Sequence, residues 1–249
     1  MKPKFFGGKN KTAAPAETGS SAEDQNSDNY SSLSAADLLK KINAGEKINL
    51  IDMRNAEDFA KEHIIDSKNY SAQDIAANFS TMDKNKKYIL IDGLGLTPQE
   101  IEMLKFLSDN GFPDIAYLEG GFSGWKNNYN PTINSGDPYS FSDQSKVSYI
   151  KSDDLKEIIA EESNLYILDV RKKGQFDEGH IAGAVNIFLD ELESRRKEIP
   201  FGKKIILCDN DGMWAFQGAV RLFDMGIMNV YALSDGLDVW KQKGFEIVK

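Results

Sequence analysis

The sequence predicts an α/β protein built from two tandem copies of one unit, each a mostly parallel sheet flanked by helices. Three observations lead there. Short apolar runs alternate with helical patterns, the signature of strands buried on both faces. The motif Leu50-Ile51-Asp52-Met53-Arg54 recurs as Ile167-Leu168-Asp169-Val170-Arg171. Asp52/Asp169, Arg54/Arg171 and His63/His180 all share an offset of 117 positions, a duplication rather than a coincidence.

Each copy opens with a helix, Ala35–Asn43 capped by Ser34 and Asp153–Glu161 capped by Ser152. A short strand follows (48–52; 165–169), then a polar turn, a short helix and a His-Ile segment, His63-Ile64 or His180-Ile181. The second strand (88–91; 205–207) ends at Asp92 or Cys208. A longer helix (98–110; 215–225) stops at Gly111 or Gly226, each placed as a C′ glycine. A third strand (115–118; 229–233) and a helix carrying Trp125 or Trp240 close the unit. Residues 128–146 read as a linker, with Pro131, Gly136 and Pro138 breaking regular structure. The units are therefore expected at 32–127 and 147–249. Residues 1–31, poor in apolar side chains after Phe6, are expected to be a disordered tail.

Composition narrows the function. The 249 residues carry a net charge of −9, which disfavours nucleic acid as a partner. No apolar run is long enough for a transmembrane segment. No signal peptide is visible, so a cytoplasmic location is the default, periplasmic or exported if a leader was removed. One cysteine excludes an internal disulfide, and two distant histidines argue against a metal site. No cofactor is expected.

Chemistry concentrates in Cys208-Asp209-Asn210-Asp211-Gly212-Met213-Trp214. A thiol at a strand-to-helix junction meets backbone N–H groups and a helix N-terminus, both of which favour an anion. The competing reading is a small buried hydrophobe, the usual fate of a lone cysteine.

Asp-Val-Arg, Phe-x-x-Gly-His-Ile-x-Gly-Ala, strand-Cys-loop-helix and the Trp helix together resemble the tandem rhodanese (sulfurtransferase) family, over about residues 32–126 and 148–245. The resemblance implies that Cys208 takes a sulfane sulfur from a donor, thiosulfate or a protein or small-molecule persulfide, and passes it to a thiol acceptor. It implies that Asp209, Asn210, Asp211, Gly212, Met213 and Trp214 wrap the persulfide. It assigns Asp92 to the cysteine position of an inactive first copy. Two departures stand out. The loop has no cation, and Asp209 and Asp211 are expected to raise the thiol pKa and repel an anionic donor. Cys208 to Gly226 spans 18 positions, one more than the common sulfurtransferase form. A phosphatase would need a loop arginine, and this loop has Met213-Trp214.

The remaining candidates divide by whether both copies share them. Asp52/Arg54 and Asp169/Arg171 read as structural ion pairs, although Arg171 is also placed to supply the charge the loop lacks. His63, His180, Trp125 and Trp240 occur in both copies and read as structural. Trp214, unique to the second loop, either floors an acceptor pocket or plugs it. Arg195-Arg196-Lys197 reads as the solvated face of a polar helix. The competing function is a non-catalytic protein-binding module with two degenerate loops. A redox sensor at Cys208 is a third reading.

Overall fold

The computed structural model describes residues 30–161 and 163–249. The first domain runs β1 (Ser31–Leu33), α1 (Ala35–Asn43), β2 (Asn49–Asp52), α2 (Ala56–Lys61), β3 (Glu62–His63), β4 (Ser67–Asn69), α3 (Ala72–Asn78), β5 (Tyr88–Ile91), α4 (Pro98–Asp109), β6 (Ile115–Leu118) and α5 (Gly121–Asn127). Then come β7 (Ile133–Asn134) and α6 (Phe141–Gln144). The second domain runs β8 (Ser148–Ile150), α7 (Ser152–Glu161), β9 (Leu165–Asp169), α8 (Lys173–Glu178), β10 (Val185–Asn186), β11 (Lys204–Cys208), α9 (Met213–Asp224), β12 (Val230–Leu233) and α10 (Gly236–Gln242).

Two five-stranded sheets result, β1-β6-β5-β2-β4 and β8-β12-β11-β9-β10, each parallel throughout. The order is the same in both, as duplication requires. Alternation along each central strand sends side chains to opposite faces. Ile89 and Ile91 face α1 and α5 with Leu38 and Trp125, while Leu90 faces α4 with Met103, Leu104 and Leu107. In the second domain Ile206 and Cys208 face α7 and α10 with Leu155 and Trp240. Ile205 and Leu207 face α9 with Ala219 and Leu222. Trp125 and Trp240 are packing residues, each Nε1–H donating to a carbonyl, Pro131 at 2.9 Å and Glu246 at 3.0 Å.

Several details differ from the sequence reading. The expected tail lies outside the described residues up to residue 29. Ser31 is in β1, because the edge of β6 offers backbone partners to Ser31, Ser32 and Leu33. Ser34 does cap α1, accepting from Asp37 N–H at 3.1 Å. Ser152 instead lies inside α7, and its N–H and hydroxyl both donate to Asp235, at 3.0 and 2.9 Å. The segment 128–146 holds regular structure despite its prolines. β7 pairs antiparallel with β3, and Ser140 caps α6. Arg195 is solvent-facing and held by Glu191 and Glu198, but Arg196 forks onto Asp66 of the first domain at 2.7 and 2.8 Å.

That fork belongs to a polar interface between the domains. His63 Nε2 lies 3.0 Å from Glu193 Oε2, and Asp66 N–H donates to the other oxygen of Glu193. On the far side, Asn134 donates through its backbone and side-chain N–H to Asp224, both at 3.0 Å. Lys146 bridges Asp224 and Asp143 at 2.9 Å each, all three mostly buried. Gly136, at φ +83°, sits where a Cβ would lie 2.8 Å from the Cα of Gln217 on α9.

Asp224 anchors β7 and Lys146 to α9 together. Asp224→Ala is expected to destabilise the chain by about 2 kcal/mol in urea denaturation, less than a fully orphaned buried charge because Lys146 keeps Asp143.

Candidate functional site

Both domains end their first central strand on the same construction. Asp169 is fully buried, and Arg171 is only 2 % exposed. The Arg171 Nε–H donates to Asp169 Oδ1 at 3.0 Å and Nη2–H donates to Oδ2 at 2.6 Å. Nη2–H also reaches Gly179 O at 2.9 Å. Asp52 and Arg54 repeat the fork at 3.0 and 2.7 Å, with Glu62 O as the further acceptor. Burying two charges is tolerable only when each is paired and hydrogen-bonded, as both pairs are. Asn69 and Asn186 complete the turn. Each Nδ2 donates to two carbonyls, those of Asp52 and Arg54 or of Asp169 and Arg171, at 2.7–2.9 Å. Sequence reasoning missed this pair, although they too stand 117 positions apart.

The histidines play a supporting part. His63 and His180 stack on Phe59 and Phe176 at 4.3 and 3.7 Å between ring centroids. Each Nδ1 lies 3.0 or 2.9 Å from the carbonyl of the same phenylalanine.

Strand register then locates the thiol. β9 and β11 place Cys208 opposite Asp169, and β2 and β5 place Ile91 opposite Asp52. Val170 N–H donates to Cys208 O at 3.0 Å, and Met53 N–H donates to Ile91 O at 2.7 Å. One residue on, Leu237 N–H donates to Asp209 O at 2.8 Å, and Phe122 N–H donates to Asp92 O at 2.7 Å. The residue equivalent to Cys208 is therefore Ile91, and the residue equivalent to Asp92 is Asp209. The expected pairing of Asp92 with Cys208 is corrected by one position. Counted from Asp209, the extra position between loop start and Gly226 disappears.

Cys208 is a strand residue with no exposed surface, packed among Leu155, Ile206, Leu237 and Trp240. Burial pushes its pKa well above the ordinary thiol value. The Asp169 carboxylate adds to the rise, the Arg171 guanidinium opposes it, and Asp209 adds again.

The loop closes around Asp209 instead. Its side chain is 3 % exposed. Oδ1 accepts from Gly212 N–H at 2.8 Å and Oδ2 from Trp214 N–H at 3.0 Å, and Ala215 N–H also stabilises the carboxylate. Burial outweighs these donors and raises the Asp209 pKa to about 6, with Asp211 contributing in the same direction. Gly212 reaches this geometry at φ +94°, and a Cβ there would lie 2.7 Å from Ser234 O. Asp211 accepts from Met213 N–H at 3.0 Å. Asn210 Oδ1 accepts from Arg171 Nη1–H at 3.3 Å, so Arg171 does reach the loop, through Asn210. Trp214 is half-buried and meets Phe188 edge-on at 5.7 Å, while Met213 is exposed. Phe188 also lines an open groove of about 750 Å³, together with Lys172, Phe176, Val185 and Arg195 among others.

The first loop follows the same plan with different donors. Asp92 accepts from Gly93 N–H, from Leu94 N–H at 3.4 Å and from the Thr97 hydroxyl at 2.6 Å. Pro98, the first residue of α4 as Met213 is of α9, has no N–H to offer.

No helix among the described residues is long and apolar enough to cross a membrane. The model of the Rhodanese-like domain family matches residues 34–128 and 151–243. A Bacillus subtilis protein, YtwF, provisionally named a sulfurtransferase, is 32% identical over 99 residues, which cover 40% of this chain and 93% of that protein. A protein of Allochromatium vinosum named "Sulfurtransferase" is 24% identical over 102 residues, 41% of this chain and 95% of that one. The crystal structure of a thiosulfate sulfurtransferase from Pseudomonas aeruginosa aligns with 88% of this chain at 20% identity and a TM-score of 0.45, and this chain spans 43% of that chain's length. The chain belongs to the rhodanese-like domain family and carries two rhodanese-like domains in tandem.

Proposed function

We propose that this chain is a rhodanese-fold binding module in which both loops are closed by a carboxylate of their own, and that it recognises a protein partner rather than turning over a sulfur donor. The Asp209 carboxylate in the second loop carries the reading. It takes the N–H groups that a bound sulfur or oxyanion would need. The thiol beside it is sealed in the core, and a thiol held neutral is a poor nucleophile. The exposed side chains of Met213 and Leu94 at the two loop tips supply apolar contact surface without disturbing the cradles.

A second reading keeps the family's chemistry on this chain. Cys208 would take a sulfane sulfur from thiosulfate or a persulfide, and a thiol acceptor would remove it. The sulfurtransferase names of the relatives favour it, as does the Arg171 guanidinium, which pulls the thiol pKa down. It requires the end of β11 to open, because the thiol has no solvent exposure.

Intact-protein mass spectrometry after incubation with thiosulfate or a low-molecular-weight persulfide separates the two. The binding-module reading expects no added sulfur on wild type, and no change in partner capture or cellular phenotype in Cys208→Ala. Gain of one sulfur atom at Cys208 under native conditions sinks it. Asp209→Cys places a thiol where the loop N–H groups converge, and that variant is expected to load sulfur.

The raised pKa of Asp209 also makes a stability prediction. Between the ordinary aspartate value and about 6 the folded chain binds more protons than the unfolded one, so stability falls as pH rises through that window. Wild type is expected to lose about 2 kcal/mol across it relative to Asp209→Asn, measured by urea denaturation at stepped pH.

A further inference from the structure

We propose that Glu100 is a proton-operated bolt on the first loop, holding residues 93–97 closed as a neutral acid and releasing them when it ionises. Glu100 sits in the first turn of α4 with no exposed surface. Its Oε2 accepts the Leu96 N–H, which ties the helix back onto the loop. Its Oε1 is buried without a hydrogen-bond partner among the described residues. A carboxylate in that place would hold a full charge with only the Leu96 and, more weakly, Thr97 N–H groups to answer it, and with Oε1 left without a hydrogen bond. A neutral acid leaves only a dipole unsatisfied, a far smaller penalty.

The surrounding charges push the same way. Asp92 is the charged group that acts on Glu100 from the loop, and its effect is repulsive. The Lys105 ammonium on α4 is engaged by Asp109, and Glu119 on the β6–α5 turn accepts from Ser32. Arg54 is held by Asp52 and lies over the Phe122 ring. Burial, with Asp92 adding to it and the Leu96 and Thr97 N–H groups opposing, raises the Glu100 pKa to about 8.

The loop is built to move once the bolt is drawn. Leu96 is held at φ +49°, a left-handed conformation strained for a side chain of its kind. Leu94 is 73% exposed, and Gly93 has open space around it. The second loop has no such device. The position equivalent to Glu100, the third residue of the matching helix α9, is Ala215, which does not titrate.

The sign follows from linkage. The open loop lets Glu100 ionise near its ordinary value, while the closed loop delays ionisation to about pH 8. Opening therefore becomes easier with rising pH between those values and levels off above the second.

Amide hydrogen exchange by NMR reads this directly, with rates corrected for intrinsic pH dependence. In wild type the protection of Leu96 N–H is expected to fall by about tenfold per pH unit from pH ~5 to ~8 and then to level off. Protection in the core of β5, at Ile89 and Leu90, is expected to follow only global stability. Glu100→Gln is expected to keep Leu96 protection flat. A flat wild-type profile, or the same fall in Glu100→Gln, overturns the proposal. If the variant does not fold, the side-chain carboxyl resonance of Glu100 in wild type decides. Titration together with the exposed glutamates contradicts the bolt, and a midpoint shifted upward by several pH units supports it.

Discussion

The structure turns on what satisfies the backbone N–H groups at the strand-to-helix turn of each domain. A tight turn there leaves several donors aimed at one point, and a buried donor without an acceptor is costly. In the second domain the Asp209 carboxylate fills that point from inside the loop. In the first, Asp92 accepts the Gly93 and Leu94 N–H groups and the Thr97 hydroxyl, and Glu100 accepts the Leu96 N–H. Either loop thus keeps its shape without a bound anion. The same carboxylates remove the positive potential that would draw a small anionic donor inward.

A second constraint fixes where those turns stand. The Asp52–Arg54 and Asp169–Arg171 forks neutralise two buried charges each and bond onward to carbonyls of the next segment. Asn69 and Asn186 then lock the carbonyls on either side. In the second domain the chain continues through Arg171 to Asn210, so loop and strand end form one hydrogen-bonded unit. Between the domains the contacts are mainly polar. Glu193, Asp66 and Arg196 lie on one side, and Asp224, Asn134 and Lys146 on the other. α9 spans the distance from the second loop to this interface, since it starts at Met213 and ends at Asp224.

Much of this was legible in the sequence. Apolar runs bounded by glycine caps locate the central strands within a residue or so, because burial on both faces demands them. The repeat predicts that both sheets share one strand order. The edge strand β1 was not legible, because edge pairing asks little of side chains. Nor was Arg196, whose partner Asp66 lies 130 residues away. The assignment of Cys208 is the instructive failure. The offset of 117 that relates Asp52 to Asp169 and His63 to His180 also joins Asp92 to Asp209. The lone cysteine stands one residue before the loop start, on the strand side of the junction, and the 18-position spacing to Gly226 is the visible symptom. Glu100 was invisible for a different reason. Acids are ordinary in the first turn of a helix, and only packing makes this one buried.

The exposure of Cys208 in solution is where the account meets experiment most directly. The measurement is the native-state alkylation rate of Cys208 with iodoacetamide, compared with a free cysteine at the same pH and repeated across a urea series. A thiol sealed between β11, α7 and α10 should react slower by about three orders of magnitude or more, with a rate that tracks unfolding. A native rate close to that of the free thiol, unchanged by urea below the transition, would place Cys208 in an open loop and contradict the account.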